Sequence, residues 1–127
     1  MGYSEGLYPA QWTALRYLAK APEGTRTASS LARFQGLASG PVSRTVRTLI
    51  QKDLVRKADH QPLGRAEHLE LTAKGADLLD RDPLHCFSAN LEMLGKDERV
   101  ALAAALEAVI ATASSLWPKN ENDPKPA

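Results

Sequence analysis

Two arginines, Arg44 and Arg47, lie about one helical turn apart in the middle of this sequence, with Ser43 and Thr48 directly beside them. A guanidinium group can donate two parallel hydrogen bonds to a guanine edge or to phosphate oxygens, and hydroxyl groups can bond to either. No acidic residue accompanies them within residues 39–52. An ordinary solvated helix surface mixes both signs of charge, whereas this segment offers cations and hydroxyls suited to a polyanion.

The segment that carries these side chains has the apolar spacing of an α-helix. Val42 is followed by apolar residues at i+4, i+7 and i+8, which places them on one face and leaves the arginines on another. Ser39 is a candidate N-cap, Gly40 and Pro41 fit the first turn, and the helix is predicted to end near Asp53. The predicted apolar face consists of Val42, Val46, Leu49 and Ile50.

A second, shorter helix is predicted immediately before it, from a cap at Thr27 to a break at Gly36. Ala32, Gly36 and Val42 lie at relative positions 0, +4 and +10. A helix-turn-helix needs a small residue where its helices touch, a glycine or similar residue at the turn, and a buried β-branched residue on the second helix. That second helix offers its outer face to the major groove of double-stranded DNA. The rival interpretation is a helical domain without nucleic-acid contacts, because each spacing also occurs by chance.

A β-hairpin is predicted after this helix pair, with strands at 54–59 and 67–71 around a loop that contains proline and glycine. Its cations include Lys57 near the base and Arg65 near the tip. Such a wing can lie along the DNA backbone and place an arginine in the minor groove. The predicted fold class is therefore mainly α with a small β-hairpin, a winged helix-turn-helix.

Further helices are predicted on both sides of these elements. The polar, proline-rich tail at 118–127 is predicted to be disordered. In the helix at 84–94, Leu84, Phe87, Leu91 and Leu94 are expected to face inward. A cap is predicted at Thr72 and an interruption of the helix pattern at Asp82-Pro83. The predicted helices run from Pro9 to about Ala21, from Ala73 to about Arg81, over 84–94 and over roughly 96–117.

The net charge of +1 over 127 residues conceals an uneven distribution. Residues 26–74 hold nine lysines and arginines against four acids, and residues 75–127 hold five against nine. The basic middle favours nucleic-acid binding over a neutral surface. The single cysteine, Cys86, excludes an intrachain disulfide and is typical of a cytoplasmic protein. No signal peptide is expected, and residues 100–117 include Glu107 and several hydroxyls, so no membrane span is expected.

Residues 7–75 resemble the core of the MarR family of transcriptional regulators. The resemblance rests on LYPAQWTALRYLAKAP and TASSLARFQGLASGPVSRTVRTLIQKDLVRKADHQPLGRAEHLELTAKG, with SRTVRTLIQKDLVRK and LELTAKG as its most specific parts. It implies a sequence-specific, DNA-binding homodimer that acts as a repressor, with residues 39–52 as recognition helix, 54–71 as wing and Arg65 as wing arginine. The residues expected at the DNA are Ser39, Pro41, Ser43, Arg44, Arg47, Thr48, Lys57 and Arg65.

The region 76–117 is expected to form the dimer, because LGKDERVALAAAL is similar to the last dimerisation helix of the family. Its many alanines would let two helices approach closely. The alternative is that these helices fold back on their own chain as an ordinary core. The candidate dimerisation residues are Phe87, Leu91, Leu102, Leu106, Val109, Ile110, Ala113 and Trp117.

Several departures from the family pattern bear on regulation. Leu63 stands where the wing usually has an aspartate that orients its arginine, and Asp53 stands where a glycine usually precedes the Leu-Val pair. The long helix after the wing is broken at Pro83. The sequence also starts too late for the first helix of the family, which helps line a small-molecule pocket. We therefore expect no strong small-molecule ligand, and control through expression level or a protein co-regulator.

No catalytic residue, metal site or cofactor is expected, and the protein is not predicted to be an enzyme. The three histidines are scattered, and His85 and Cys86, as adjacent helical residues, point about 100° apart and cannot act as a base and a nucleophile. A zinc site would need more ligands at suitable spacing. The main rival is a winged helix that binds another transcription factor as a co-regulator or antagonist. The arginines favour DNA over that protein–protein role.

Overall fold

A hydrophobic core beneath the predicted helix pair organises the N-terminal part of the chain. The computed structural model describes residues 4–62, 64 and 66–116. Those residues divide into two units, the first ending at Cys86 and the second beginning at Phe87. The fold is mainly helical with one two-stranded antiparallel sheet, which confirms the predicted fold class.

Three helices precede the sheet: α1 (Pro9–Lys20), α2 (Ala28–Gln35) and α3 (Ser39–Gln51). At the start of α1, the Tyr8 N–H donates to Gln11 Oε1 at 2.9 Å. Thr27 caps α2 as predicted, because its Oγ1 accepts a hydrogen bond from the Ser30 N–H at 3.1 Å. Each of these bonds satisfies a backbone donor that the first helical turn leaves unpaired.

The N-cap of α3 is Ala38, so the prediction that Ser39 caps this helix is wrong by one residue. No side chain makes a capping bond there. Ala38 has no side-chain acceptor, and Pro41 at the third helical position has no N–H to offer, so no side-chain cap forms. Ser39 therefore belongs to the first helical turn, where its side chain is exposed.

A glycine in the left-handed conformation turns the chain from α2 into α3. Gly36 has a φ of 65°, and the Leu37 N–H donates to the Ala32 carbonyl at 3.0 Å across the turn. Glycine adopts this conformation without the steric cost that a Cβ would add. Ala32 and Val42 are 7% and 1% exposed. The small residue, the turn glycine and the β-branched residue therefore form the helix-turn-helix that their spacing predicts.

The end of α3 uses the same kind of turn, with Asp53 at a φ of 58° in place of glycine. The Leu54 N–H donates to the Leu49 carbonyl at 3.0 Å and closes the turn. Strand β1 follows and pairs antiparallel with β2. The register places Val55 opposite Leu71, Arg56 opposite Glu70 and Lys57 opposite Leu69.

Both strands, β1 (Val55–Lys57) and β2 (Leu69–Leu71), are shorter than predicted. Beyond them, Gln61 Nε2 donates to the Ala58 carbonyl at 2.8 Å and to the His68 carbonyl at 3.0 Å. Gln61 Oε1 accepts from the His68 N–H at 2.8 Å. The Gln61 side chain thus bonds backbone groups at the open end of the sheet.

Helix α4 (Ala73–Leu79) packs closely against the turn that ends α3. Thr72 caps it, accepting from the Gly75 N–H at 3.0 Å and donating to the Asp53 carbonyl at 2.6 Å. A Cβ at Gly75 would lie 2.1 Å from the Leu54 carbonyl oxygen, so only glycine permits this approach. The buried core contains Leu7, Trp12, Ala14, Leu15, Leu18, Leu31, Ala32, Val42, Val46, Leu49, Leu54, Val55, Leu69 and Leu78.

Two helices follow, α5 (Pro83–Leu91) and α6 (Lys96–Leu116). The prediction that Leu84 and Phe87 face inward is wrong within this chain, because they are 50% and 55% exposed, whereas Leu91 and Leu94 are half-buried. No described side chain of either helix is buried. Among the described helices, α6 alone has the length and apolar composition to cross a membrane. Trp117 and the predicted disordered tail lie outside the described residues.

An ion pair joins α1 to the start of α5. Arg16 Nε and Nη2 donate to Asp82 Oδ2 and Oδ1, both at 2.6 Å, and Asp82 is only 5% exposed. The hydrogen bonds from Arg16 lower the pKa of Asp82 although burial acts in the opposite direction. The same bonds raise the pKa of Arg16. Both side chains are therefore charged at neutral pH.

We expect Asp82→Asn to lower the free energy of unfolding at pH 7 by about 1–3 kcal/mol, because Arg16 loses its charged partner. The pKa of Asp82 is lower in the folded state than its ordinary unfolded value of about 3.9. The contribution is therefore complete above about pH 5 and is lost as the pH falls through the folded-state pKa. Urea unfolding at neutral and strongly acidic pH measures the difference between wild type and variant. A difference that does not shrink in acid would contradict this ion-pair contribution.

Candidate nucleic-acid interface

The outer face of α3 is exposed because its inner face is used by the core. Val42, Val46 and Leu49 are buried, which turns the opposite side of the helix to solvent. Ile50, predicted to be on the apolar face, is 38% exposed. The sequence-predicted DNA residues that lie exposed on α3 are Ser39, Pro41, Ser43, Arg44 and Arg47.

Arg44 and Arg47 carry positive charge that no described acidic side chain offsets. Within the part of the chain that the structure describes, no carboxylate lies within ion-pair distance of either guanidinium, and neither group donates a hydrogen bond to the protein. Unpaired cations one turn apart produce a local positive potential that a bound anion would relieve. The full set of guanidinium donors is available to an external acceptor.

Thr48 differs from the other residues predicted on this face. It is half-buried, and its Oγ1 donates to the Arg44 carbonyl at 3.0 Å. Its hydroxyl proton is therefore used inside the helix, which leaves only oxygen lone pairs for an outside partner. A phosphate oxygen needs a donor, so Thr48 suits an amino group on a base edge better than the DNA backbone.

Two cations of the wing, Arg56 and Lys57, are paired with acids, which the sequence pattern did not indicate. Lys57 Nζ lies 2.8 Å from Glu67 Oε1. Arg56 donates two hydrogen bonds to Asp59, both at 3.1 Å, and also pairs with Glu70. The last pair follows from the strand register, which places Arg56 and Glu70 opposite each other and is known only from the structure.

Four cations of the basic middle therefore fall into two pairs with different electrostatic surroundings. The α3 arginines are unpaired among the described residues, whereas Arg56 and Lys57 are compensated by acids of the hairpin. Arg65, the predicted wing arginine, lies outside the described residues together with Leu63. Its placement at the DNA stays a prediction.

Backbone bonds fix the wing to the helix pair. Thr27 pairs with His68 in an isolated antiparallel bridge, and the Leu69 N–H donates to the Arg26 carbonyl at 2.8 Å. Thr27 is also the cap of α2. A ligand that contacts both α3 and the wing would therefore meet them as one preformed surface.

The histidines and the cysteine show no metal-binding arrangement. Across residues 4–62, 64 and 66–116, no group of three or more His, Cys, Asp or Glu side chains could hold a metal ion. Cys86 is exposed on α5.

A short helix pair joined by a left-handed glycine, followed by a two-stranded wing, defines a winged helix-turn-helix protein. Residues 5–66 match the sequence model of the MarR family. Over this winged helix the chain therefore matches the MarR family. Among curated protein sequences, none matches this chain.

Solved structures of transcriptional regulators have the same fold. A MarR/EmrR family transcriptional regulator from Acinetobacter sp. ADP1 is 21% identical with a TM-score of 0.65, covering 89% of this chain and 80% of that one. A probable transcriptional regulator from Pseudomonas aeruginosa is 23% identical with a TM-score of 0.64, covering 85% and 82%. The MepR–DNA complex of S. aureus is 19% identical with a TM-score of 0.65, covering 84% and 80%. At these identities the likeness is one of fold.

Proposed function

We propose that this protein is a cytoplasmic transcriptional regulator that binds double-stranded DNA at specific sequences as a homodimer and represses by occupying its site. The observation that carries the proposal is the pair of exposed guanidinium groups, Arg44 and Arg47, with no acidic partner among the described residues. They stand on the helix that a helix-turn-helix inserts into the major groove. The DNA complex of MepR, which has the same fold, supports the proposal.

In the proposed complex, the outer face of α3 lies in the major groove. Arg44 and Arg47 each pair with a guanine through O6 and N7, which supplies sequence preference. Ser39 and Ser43 lie in the first turns of α3, where hydroxyls and the positive end of the helix dipole suit a phosphate. Pro41 offers an apolar contact beside them.

In the proposed complex, the wing contacts the DNA backbone only after an ion pair within the hairpin has opened. Lys57 must exchange Glu67 for a phosphate, and Arg65 is assigned to the minor groove. An exposed ion pair contributes only about 0–1 kcal/mol, so this exchange costs little. Glu67 nevertheless stays close to the phosphate and repels it. The wing therefore adds less affinity than its number of cations suggests.

The proposed dimer is formed by α5 and α6. One recognition helix covers only a few base pairs, so such readers pair across half-sites about one helical turn apart. On α6, Leu106, Val109 and Ile110 are 52%, 64% and 63% exposed in the single chain, which favours a second copy over an intrachain core. Glu107 lies among them and makes a lipid environment unfavourable. The other assigned dimerisation residues are Phe87, Leu91, Leu102, Ala113 and Trp117, the last outside the described residues.

A protein co-regulator or the expression level is proposed to control this regulator. The alternative function, a winged helix that binds another transcription factor, makes a different forecast for the same surface. In that case the wild type would select no specific duplex, or would bind DNA equally well without the α3 arginines. Alanine variants of Arg44 and Arg47 therefore separate the two functions.

Arg44→Ala and Arg47→Ala should each weaken binding to a selected DNA duplex by about 1–3 kcal/mol. Each loses a bidentate contact to a guanine, while folding is preserved because neither residue is part of the core. Fluorescence anisotropy with a duplex selected by the wild type from a random library measures the effect, and Arg99→Ala on α6 is the matched control. Wild-type affinity in both variants would contradict major-groove reading by α3.

Glu67→Gln should strengthen DNA binding, because it frees Lys57 and removes a repulsive charge. Lys57→Ala should weaken binding similarly on all sequences and reduce the salt slope by about one. Titrations over a range of salt concentrations measure both, and Glu92→Gln gives the same change of net charge away from the wing. An equal gain from Glu67→Gln and Glu92→Gln would reduce the effect to net charge and contradict the specific pair.

Leu106→Glu or Ile110→Glu should give monomers, because a charge would be buried in the proposed interface. Binding to a duplex with two half-sites should be lost, with weak non-specific binding left. Sedimentation velocity and anisotropy measure the two effects. Ala111→Glu, on the opposite side of α6 by helical geometry, is the control. A monomeric wild type, or unchanged operator binding in Leu106→Glu, would contradict the proposed dimer.

A further inference from the structure

Asp82 occupies the point where the winged helix ends and the C-terminal helices begin. Its side chain pairs through both oxygens with Arg16 of α1, at 2.6 Å for each hydrogen bond. The two residues are 66 positions apart in the sequence. Because Asp82 is nearly buried, solvent weakens this pair less than it weakens the exposed ion pairs of the wing.

The same residue also holds the first turn of α5. Asp82 Oδ1 accepts the Leu84 N–H at 2.9 Å, and the Asp82 carbonyl accepts the N–H groups of His85 and Cys86 at 3.0 and 3.2 Å. Pro83 has a fixed φ and no N–H, so it can start a helix at this point. One residue thus binds α1 with its carboxylate and starts α5 with its carboxylate and its carbonyl.

The connection continues from α1 to the recognition helix. Leu15 and Leu18 of α1 and Val46 and Leu49 of α3 belong to one buried cluster. Because such side chains are closely packed, they hold the two helices in a nearly fixed relative position. The direction in which α5 begins is therefore fixed relative to α3 through α1, and Arg16–Asp82 is the bond at the far end of that path.

We propose that Arg16 and Asp82 are positioning residues that set the separation of the two recognition helices in the dimer, and so the spacing of the DNA half-sites that the protein accepts. This inference rests on the proposed function. A dimer formed by α5 and α6 can hold two α3 helices at a fixed distance only if the start of α5 is fixed relative to the winged helix. The pair supplies that constraint without touching DNA.

A purely stabilising role for the pair makes a different forecast. It would lower the affinity of a variant for every duplex in parallel, through a smaller folded fraction. A positioning role instead changes which spacing is preferred and how sharply. One inserted base pair moves the half-sites apart by about 3.4 Å and rotates one relative to the other by about 35°. Spacing is therefore a direct measure of how rigidly the two α3 helices are held.

The experiment measures affinity against half-site spacing. A duplex selected by the wild type from a random library is rebuilt with its half-sites moved by one to three base pairs in either direction, and a duplex with a single half-site serves as reference. The variants are Asp82→Asn, which keeps an oxygen for the Leu84 N–H, and Arg16→Lys, which keeps the charge but cannot pair through two nitrogens. The matched control is Arg81→Met, which breaks the exposed pair with Glu5.

We expect the wild type and Arg81→Met to lose at least about tenfold in affinity when the spacing changes by two base pairs. Asp82→Asn should lose less than about threefold and bind the single half-site as the wild type does. Arg16→Lys, the milder change, should fall between them and stays informative if Asp82→Asn does not fold.

Two results would overturn the inference, and they are distinguishable. If both folded variants keep the wild-type spacing optimum and its sharpness, the pair is structural only and the proposed function stands. If the wild type selects no duplex or prefers no spacing, the proposed DNA-binding dimer fails, and the inference fails with it.

Discussion

The structure depends on the burial of one face of α3. Val42, Val46 and Leu49 are almost completely removed from solvent against the other helices, and burying side chains of this size contributes about 1.5–3 kcal/mol each. Because Arg44 and Arg47 lie on the opposite face of the same helix, they face solvent once these residues are buried. The left-handed turn at Gly36 makes the packing possible. The candidate interface is in this sense a consequence of the core.

Charge becomes informative here only when it is assigned to individual side chains. The net charge of +1 says nothing about nucleic acid, and even the basic middle of the sequence overstates the free charge. Arg56 and Lys57 are compensated by acids within the hairpin, whereas Arg44 and Arg47 have none among the described residues. The proposed reading function is therefore concentrated on α3, and the wing is assigned a supporting role.

Local rules predicted the helix-turn-helix well, because its determinants lie close together in the sequence. The turn is indicated by the spacing of Ala32, Gly36 and Val42. The starts of two helices are indicated by Thr27 and Thr72. The same rules placed the cap of α3 one residue late, because they favour a hydroxyl residue as the cap, whereas the helix already begins after Ala38. They also overestimated the strands, since the Gln61 side chain bonds the backbone at the end of the sheet.

Contacts between distant positions could not be predicted from one sequence. Nothing in the local pattern around Arg16 or Asp82 indicates a partner 66 positions away. The pairs Lys57–Glu67 and Arg56–Glu70 needed the strand register, which a single-residue shift would have changed. The faces of α5 and α6 were predicted to be apolar, and Leu84 and Phe87 were expected inside. These residues are exposed in the single chain, and in the proposed dimer a second copy covers them.

The claim that α3 reads the major groove is tested most directly by methylation protection on a duplex that the wild type selects from a random library. Dimethyl sulfate modifies guanine N7 in the major groove, the atom that Arg44 or Arg47 would bind. We expect the bound protein to protect guanines in two clusters about one helical turn apart. Selected DNA that is bound tightly but shows no protected guanine N7 would contradict recognition by these arginines.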